Sequence, residues 1–357
     1  MFDFVKKLSY YPEKLQAALS DDIGYSLSTV FWDLLSNTCN YNCIFCDGKF
    51  RNNVPKSFPK AVLFRIADEL QTMGVDSVLL CGDGGEPLLH PNFVDLSSRL
   101  NTIGCKLGVY TNGSYFNTFI LNELAKFDFI RVSLNAGTNE TYQRVHGIKD
   151  NQQFNSTLDF VKRISELNEN VGISFLLLDE NIHEMYMAAS LCQNLGVRFI
   201  EFKPAYLKDY TVGRFMYSKK DVIFAELKHC QSLASSSYSI VLNNQLAEYM
   251  VSSSMSSMTT LDSPRRCKVS KFRLVISPSG YYLCTPYRGV DKYRLGDPFH
   301  DTLEQVWFSS RHKNLIDMPC SLRCTYHEQN ECLLHDDSPS ILQNTKDSER
   351  DTQISFL

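Results

Sequence analysis

Between Thr29 and about Ala205, short runs rich in branched and aromatic residues alternate with longer stretches whose apolar residues recur every three to four positions. The short runs predict strands at 29–36, 76–82, 105–111, 129–135, 171–178 and 197–204. The longer ones predict helices in KAVLFRIADELQTMG, FVDLSSRLNTIG, FNTFILNELAKF, NSTLDFVKRISELN and NIHEMYMAASLCQNLG, which mostly run out at Gly or Asn. Such alternation implies parallel strands joined by right-handed crossovers. Six units are too few for a closed eightfold barrel, so the expected fold is α/β, a partial (β/α)6 barrel of parallel strands.

Outside this stretch the periodicity weakens. Residues 1–27 read as an N-terminal extension, 28–206 as the barrel, and 207–262 as a helical, Ser-rich linker containing SSSYS and SSSMSSMTT. Residues 263–335 read as a small cysteine-rich α+β domain, with a turn at SPSGYY and a helix in DTLEQVWFSS; 336–357 read as a disordered polar tail. A chain of 357 residues with 43% hydrophobic content can bury a sizeable core. Its net charge of −4 supplies no basic field for nucleic acid. No apolar run approaches the roughly 18–20 residues a membrane helix needs, and no signal core opens the chain, so a cytoplasmic protein without a membrane partner is expected.

The twelve cysteines change the picture, because a reducing compartment gives them no disulfide role. Cys81, Cys105, Cys192 and Cys230 stand alone and read as small buried hydrophobes. Cys39, Cys43 and Cys46 form a Cys-x3-Cys-x2-Cys group just after the first predicted strand, where parallel β/α folds place their sites. Three thiolates on one tight loop can hold three irons of a cubane and leave the fourth iron open. Zinc, the competing reading, asks for a fourth ligand that is distant in sequence.

This spacing resembles the signature of the radical S-adenosylmethionine (SAM) superfamily, and the resemblance extends over about residues 28–206. Gly84-Gly85-Glu86-Pro87, after the second strand, is similar to the family's glycine-rich motif, which implies that Gly84, Gly85 and Glu86 meet the SAM amino group. Independently of any family, Gly permits close backbone approach and a carboxylate pairs with an ammonium. The resemblance also implies that Ser133 and Arg144 contact the SAM ribose and carboxylate. Arg144 has a bland alternative as a surface residue at a helix start. Asn112 and Asn135, at strand ends, are candidates for SAM or substrate contact. Phe45 lies either beside adenine or in the core. The family's fold and cofactors, a SAM-binding [4Fe–4S] cluster and SAM itself, are therefore expected here, with a 5′-deoxyadenosyl radical as the agent of hydrogen abstraction and a flavodoxin- or ferredoxin-type electron donor.

Cys267, Cys284, Cys320 and Cys324, with Cys332 as an alternative ligand, resemble the auxiliary-cluster extensions called twitch and SPASM; a second [4Fe–4S] cluster is expected, with zinc as the alternative. Glu201 and Lys203 share one strand face, the barrel interior if Phe202 faces the helices, which makes Lys203 a candidate catalytic acid, base or substrate anchor. His90 and His146 read as loop or helix-start residues, His146 within reach of substrate. The expected substrate is a small polar metabolite of sugar, polyol or nucleoside-sugar type, undergoing oxidation, dehydration or decarboxylation. Peptide maturation (crosslink, thioether or epimerisation) is the alternative, less favoured because no leader-binding domain is legible.

Overall fold

The computed structural model describes residues 12–19, 27–46, 48, 55–205, 219–243, 246, 260–322, 326, 330 and 333. Along the chain come α1 (Pro12–Leu19), β1 (Thr29–Ser36), α2 (Lys60–Thr72), β2 (Ser77–Asp83), α3 (Phe93–Thr102), β3 (Lys106–Thr111), α4 (Thr118–Leu124) and β4 (Phe129–Ser133). Next are α5 (Asn139–His146), α6 (Gln153–Leu167), β5 (Val171–Leu177), α7 (Met185–Asn194), β6 (Phe199–Pro204), α8 (Lys220–Gln231) and β7 (Ser239–Leu242). The C-terminal part adds β8 (Thr260–Arg265), β9 (Arg273–Ser277), β10 (Gly280–Tyr282), β11 (Arg294–Gly296), α9 (Leu303–Trp307), α10 (Ser310–Ile316) and β12 (Cys320–Leu322).

All six predicted barrel strands form. A seventh, β7, pairs in parallel with β6 inside the stretch read as linker, and a separate helix, α5, precedes α6 in the crossover from β4 to β5. The sequence reading missed β7 because four residues are too few to display a period.

The chain divides into two compact units. In the unit made of 39–49 and 110–260, the strands run β4-β5-β6-β7, all parallel. Ile130, Val132, Ile173, Phe175, Ile200 and Phe202 alternate along β4, β5 and β6 and are wholly buried. Their regular two-residue spacing puts them on one sheet face, so Arg131, Ser133, Ser174, Glu201 and Lys203 occupy the other. The helices contribute buried stripes at three-to-four-residue spacing: Phe160, Val161 and Ile164 from α6, and Ala188, Ala189 and Cys192 from α7.

In the unit made of 2–38, 50–109 and 261–357, the order is β11-β10-β9-β1-β2-β3. β9 pairs in parallel with β1 from Thr29↔Arg273 to Trp32↔Ile276, while β10 and β11 continue antiparallel. The predicted turn at SPSGYY is the β9–β10 hairpin, with Ser277 opposite Gly280. The C-terminal cysteines therefore flank a strand hydrogen-bonded to the first one, Cys267 before it and Cys284 and Cys320 after it. Glu69 of α2 accepts from Leu303 N at 2.9 Å, and Arg65 donates to the Asp301 carbonyl at 3.3 Å, tying the same region to α2. β8 and β12 form a separate two-stranded sheet.

His312 on α10 is wholly buried against the Trp307 ring in a tilted contact, its Nδ1–H donating to the Trp307 carbonyl at 2.6 Å. Nε2 then carries a lone pair with no partner among the described residues. Burial pulls the pKa down from 6.5 to about 4, only partly offset by the carbonyl bond. A pKa depressed on folding means that the neutral imidazole contributes stability above pH 6.5 and loses it as pH falls towards 4, by up to roughly 3 kcal/mol at 1.36 kcal/mol per unit. The melting temperature, scanned by calorimetry between pH 7 and 4.5, should fall, and His312→Gln should flatten that slope.

Candidate functional site

The loop after β1 carries Cys39, which is exposed, and Cys43 and Cys46, which are half-buried. Cys46 N donates to Cys43 O at 3.2 Å, closing a tight turn. The loop rests on the C-terminus of α5, where helix carbonyls lack intrahelical donors. Asn42 N donates to His146 O and Ile44 N to Val145 O, each at 3.0 Å. Gly147, the left-handed cap of α5 at φ +60°, makes this approach possible, since a Cβ there would stand 2.2 Å from Asn42 O.

Side chains complete the seat. Asn112, buried at the end of β3, donates Nδ2 to Asn40 Oδ1 at 3.1 Å and towards Cys39 Sγ at 3.7 Å. Tyr41 N donates to Cys39 Sγ at 3.4 Å, and Ser114 links Asn40 to Asn112. His146 is the last residue of α5 and buried, not the loop or helix-start residue expected. Its Nε2 meets Leu134 O at 3.0 Å, and because a carbonyl only accepts, Nε2 holds the proton. Nδ1 then faces Cys43 Sγ at 3.2 Å as acceptor of the thiol proton, and burial lowers the pKa to about 4. Tyr41, Tyr142 and Thr157 extend a buried hydroxyl chain behind the loop, Tyr41 to Tyr142 at 3.1 Å and Tyr142 to Thr157 at 2.9 Å. Neither His146 nor this chain was legible as loop support, since both are contacts across about a hundred residues.

The other sequence candidates fall as follows. Phe45 packs against Val145, Leu178 and Ala205 beside Leu176, and meets the His146 ring edge-on. Ser133 is half-buried at the end of β4, in register with Ser174. Asn135, at φ +55° and fully buried, accepts from Leu176 N at 2.8 Å, while its Nδ2 has no acceptor among the described residues. Arg144 is exposed in the last turn of α5, not at a helix start, and donates to Thr141 Oγ1 at 3.1 Å. Thr141 in turn donates to Glu184, whose carboxylate also collects Gly137 N, Thr138 N and Thr138 Oγ1.

In the other unit, Gly84 adopts φ +66°, and Gly85 lies so close to Leu35 O that a Cβ would stand 2.5 Å away. Glu86 is buried, its N donating to Thr38 O at 3.0 Å and its carboxylate accepting from Leu88 N at 3.1 Å. His90 is held structurally between Phe58 O and Asn92 N. Cys267 is half-buried with its thiol pushed up by burial, Cys284 is buried, and Cys320 Sγ lies 3.4 Å from Tyr287 Oη. Burial and the nearby Cys320 thiol push the Tyr287 hydroxyl pKa up. Cys324 and Cys332 lie outside the described residues. Cys81, Cys105, Cys192 and Cys230 are buried, as expected of packing residues.

The first cysteine loop suits a cubane. Its thiols share one tight loop, and Cys39 receives two N–H donors that favour a thiolate. Among the described residues no three His, Cys, Asp or Glu side chains converge on one ion. A cubane asks for no such convergence, because each thiolate takes a different iron.

Comparison with known proteins agrees. Residues 34–192 match the family model described as the Radical SAM superfamily. A probable GTP 3′,8-cyclase of Saccharolobus islandicus is 28% identical over 193 residues, covering 52% of this chain and 59% of its own. A tungsten-containing aldehyde ferredoxin oxidoreductase cofactor-modifying protein of Pyrococcus furiosus is 24% identical over 46% of this chain and 48% of its own. The chain thus spans about 59% of the length of the cyclases it matches. Among solved structures, Streptococcus suis SuiB bound to its precursor peptide SuiA superposes with a TM-score of 0.64 at 14% identity, over 86% of this chain and 70% of that one. AnSMEcpe with bound AdoMet gives 0.57 at 15%, over 89% and 98%. These two likenesses establish the shared fold.

Replacing Cys39, Cys43 and Cys46 together by Ala should lower the iron content of anaerobically reconstituted protein by about four per chain. Gly147→Ala, with a Cβ forced onto Asn42 O and a strained left-handed φ, should cost roughly 1–3 kcal/mol, read as a lower melting temperature, and reduce iron retention as well. The cysteine loop, its seat on α5 and the family match agree: residues 34–192, just under half of the chain, are similar to the radical SAM superfamily, whose members use a [4Fe–4S] cluster and SAM.

Proposed function

We propose that the chain is an enzyme that cleaves SAM reductively at a cluster held by Cys39, Cys43 and Cys46 and abstracts hydrogen from a small polar metabolite. The observation that carries this reading is the seated cysteine loop, whose backbone and sulfurs are fixed by α5 and Asn112. When bound, the cluster and SAM together supply a one-electron reductant and the hydrogen-abstracting radical; the protein binds, orients and shields. Glu86 would pair with the SAM ammonium, Arg144 with its carboxylate, and Ser133 and Asn135 with the ribose or substrate. Phe45 would present its ring beside adenine while its inner edge packs on Ala205. Gly84 and Gly85 would let backbone approach the ligand.

The small-molecule reading is favoured by the polar face of β4, β5 and β6, where Arg131, Ser133, Ser174, Glu201 and Lys203 line up. Arg131 forms an ion pair with Glu201 at 2.9 Å and lies over the rings of Tyr110 and Phe129. The sequence similarity to proteins named for a nucleotide cyclisation supports the same class. Cys267, Cys284 and Cys320, with Cys324 or Cys332, would hold the auxiliary cluster.

With dithionite, reconstituted protein should form 5′-deoxyadenosine from SAM, and the triple cysteine variant should not. Arg144→Ala or Glu86→Gln should weaken SAM binding about tenfold or more, the loss of a charge-assisted contact, at unchanged iron content. Parent-like affinity in both would return Arg144 and Glu86 to purely structural roles. Cys284→Ala should cut iron to about four per chain and abolish product formation while some uncoupled SAM cleavage persists.

A further inference from the structure

The register of β4, β5 and β6 stacks the polar face into rows. Arg131, Gly172 and Phe199 form the first, Ser133, Ser174 and Glu201 the second, and Leu176 and Lys203 the third, nearest the C-terminal strand ends. The first row is a closed floor: a Cβ on Gly172 would stand 2.1 Å from the Phe199 ring, and the Arg131 guanidinium lies 5.1 Å, 5.2 Å and 5.8 Å from the centroids of Tyr110, Phe129 and Phe199. Above it, one carboxylate serves two cations. Arg131 Nη1 takes Glu201 Oε2 at 2.9 Å, whereas Lys203 Nζ stands 3.9 Å from that same oxygen, beyond hydrogen-bond reach.

Lys203 makes no other polar contact among the described residues, and its side chain is 24% exposed. Burial pulls its pKa down to about 8, Glu201 offsetting part of that loss. An ammonium that is desolvated yet left without a hydrogen-bonded counter-ion is costly, and an incoming anion removes the cost. The third row is also the row beside the cysteine loop: Leu176, the neighbour of Lys203, packs with Ala205 and Phe45.

We propose that Lys203 is the anchor for an anionic group, a carboxylate or a phosphate, on the substrate, and therefore that this enzyme acts on an acid or phosphorylated metabolite. The proposal rests on the catalytic reading above for the word substrate, while the anion site itself rests on unit geometry alone.

The test is competitive labelling of the full, reconstituted chain with an amine acylating reagent at pH 8, read by peptide mass spectrometry, in chloride, inorganic phosphate or succinate at equal ionic strength. Saturating phosphate or succinate should slow acylation of Lys203 by about tenfold, as an occupied site worth 1.4 kcal/mol requires, and leave exposed Lys60 unaffected. Protection by phosphate alone identifies a phosphorylated substrate, and protection by succinate alone a carboxylate. Lys203→Met should lose calorimetric binding of the protecting anion and Lys203→Arg should keep it; if neither variant folds, the labelling of the parent decides. No protection by either anion, or equal slowing at Lys60, overturns the proposal. Measuring 5′-deoxyadenosine in the same samples separates the two readings: its absence alongside intact protection counts against SAM cleavage and upholds the anion site.

Discussion

The candidate site depends on one helix end. Short helices leave their last carbonyls unpaired, and α5 satisfies two of its own with the backbone of the cysteine loop. That choice fixes the backbone on both sides of Cys43, and it is possible only because the helix stops at a residue without a side chain. Everything else in the seat follows from it. His146 is carried beneath Cys43 because it is the helix's final residue, and Phe45 is turned onto Val145 because Ile44 is hydrogen-bonded to the same turn. A catalytic loop held by main-chain bonds keeps its shape whatever the side chains around it do, so ligand geometry is separated from substrate specificity.

In the proposed reading, specificity falls instead to the strands. Alternation along β4, β5 and β6 sends the aliphatic and Phe side chains of one parity into the packed layer and puts Arg131, Ser133, Ser174, Glu201 and Lys203 on the other face. A face of this kind in a parallel sheet is unusual, since such strands are commonly apolar on both sides. Its charges are not solvated in the ordinary way: Arg131 and Glu201 are both buried, and their 2.9 Å contact offsets a desolvation that neither would tolerate alone.

The strands, the cysteine loop and the glycine-rich turn were legible because each is local: period two, period three to four, and fixed spacing of thiols or glycines. Lys203 and Glu201 were legible together for the same reason, as alternate residues of one strand. Arg131 was not, because its importance lies in a partner seventy positions away. Asn112 was noticed as a strand-end amide, yet its partners, Asn40 and Cys39, follow only from the fold. His146 was misplaced because the helix carrying it is eight residues long and ends at RVHG, so the sequence shows its capping glycine but not where the helix begins. β7 and the pairing of β9 with β1 were invisible on the same grounds, the first too short to show a period and the second made across most of the chain.

That last pairing bears on how the C-terminal cysteines are held. β1 meets β2 across 48 residues (Thr29 to Ser77) but meets β9 across 244 (Thr29 to Arg273). Closing the longer loop costs only about 1.4 kcal/mol more, because the entropy grows with the logarithm of length. Five consecutive buried residues of β9 repay that easily, with Leu274, Val275 and Ile276 among them. The delay is kinetic rather than energetic, since contacts of such separation form slowly. Until β9 docks, β1 keeps an open edge on that side, and Arg288, which reaches Asp33 on β1 at 2.8 Å, is not yet in place. Asp33 is wholly buried, and Arg288 from the C-terminal segment is one of the groups that offset its charge. The cysteine-bearing C-terminus is accordingly part of the unit built around β1, and a cluster on Cys267, Cys284 and Cys320 would add its binding energy to a docking that the strand pairing and the Asp33–Arg288 bridge already favour.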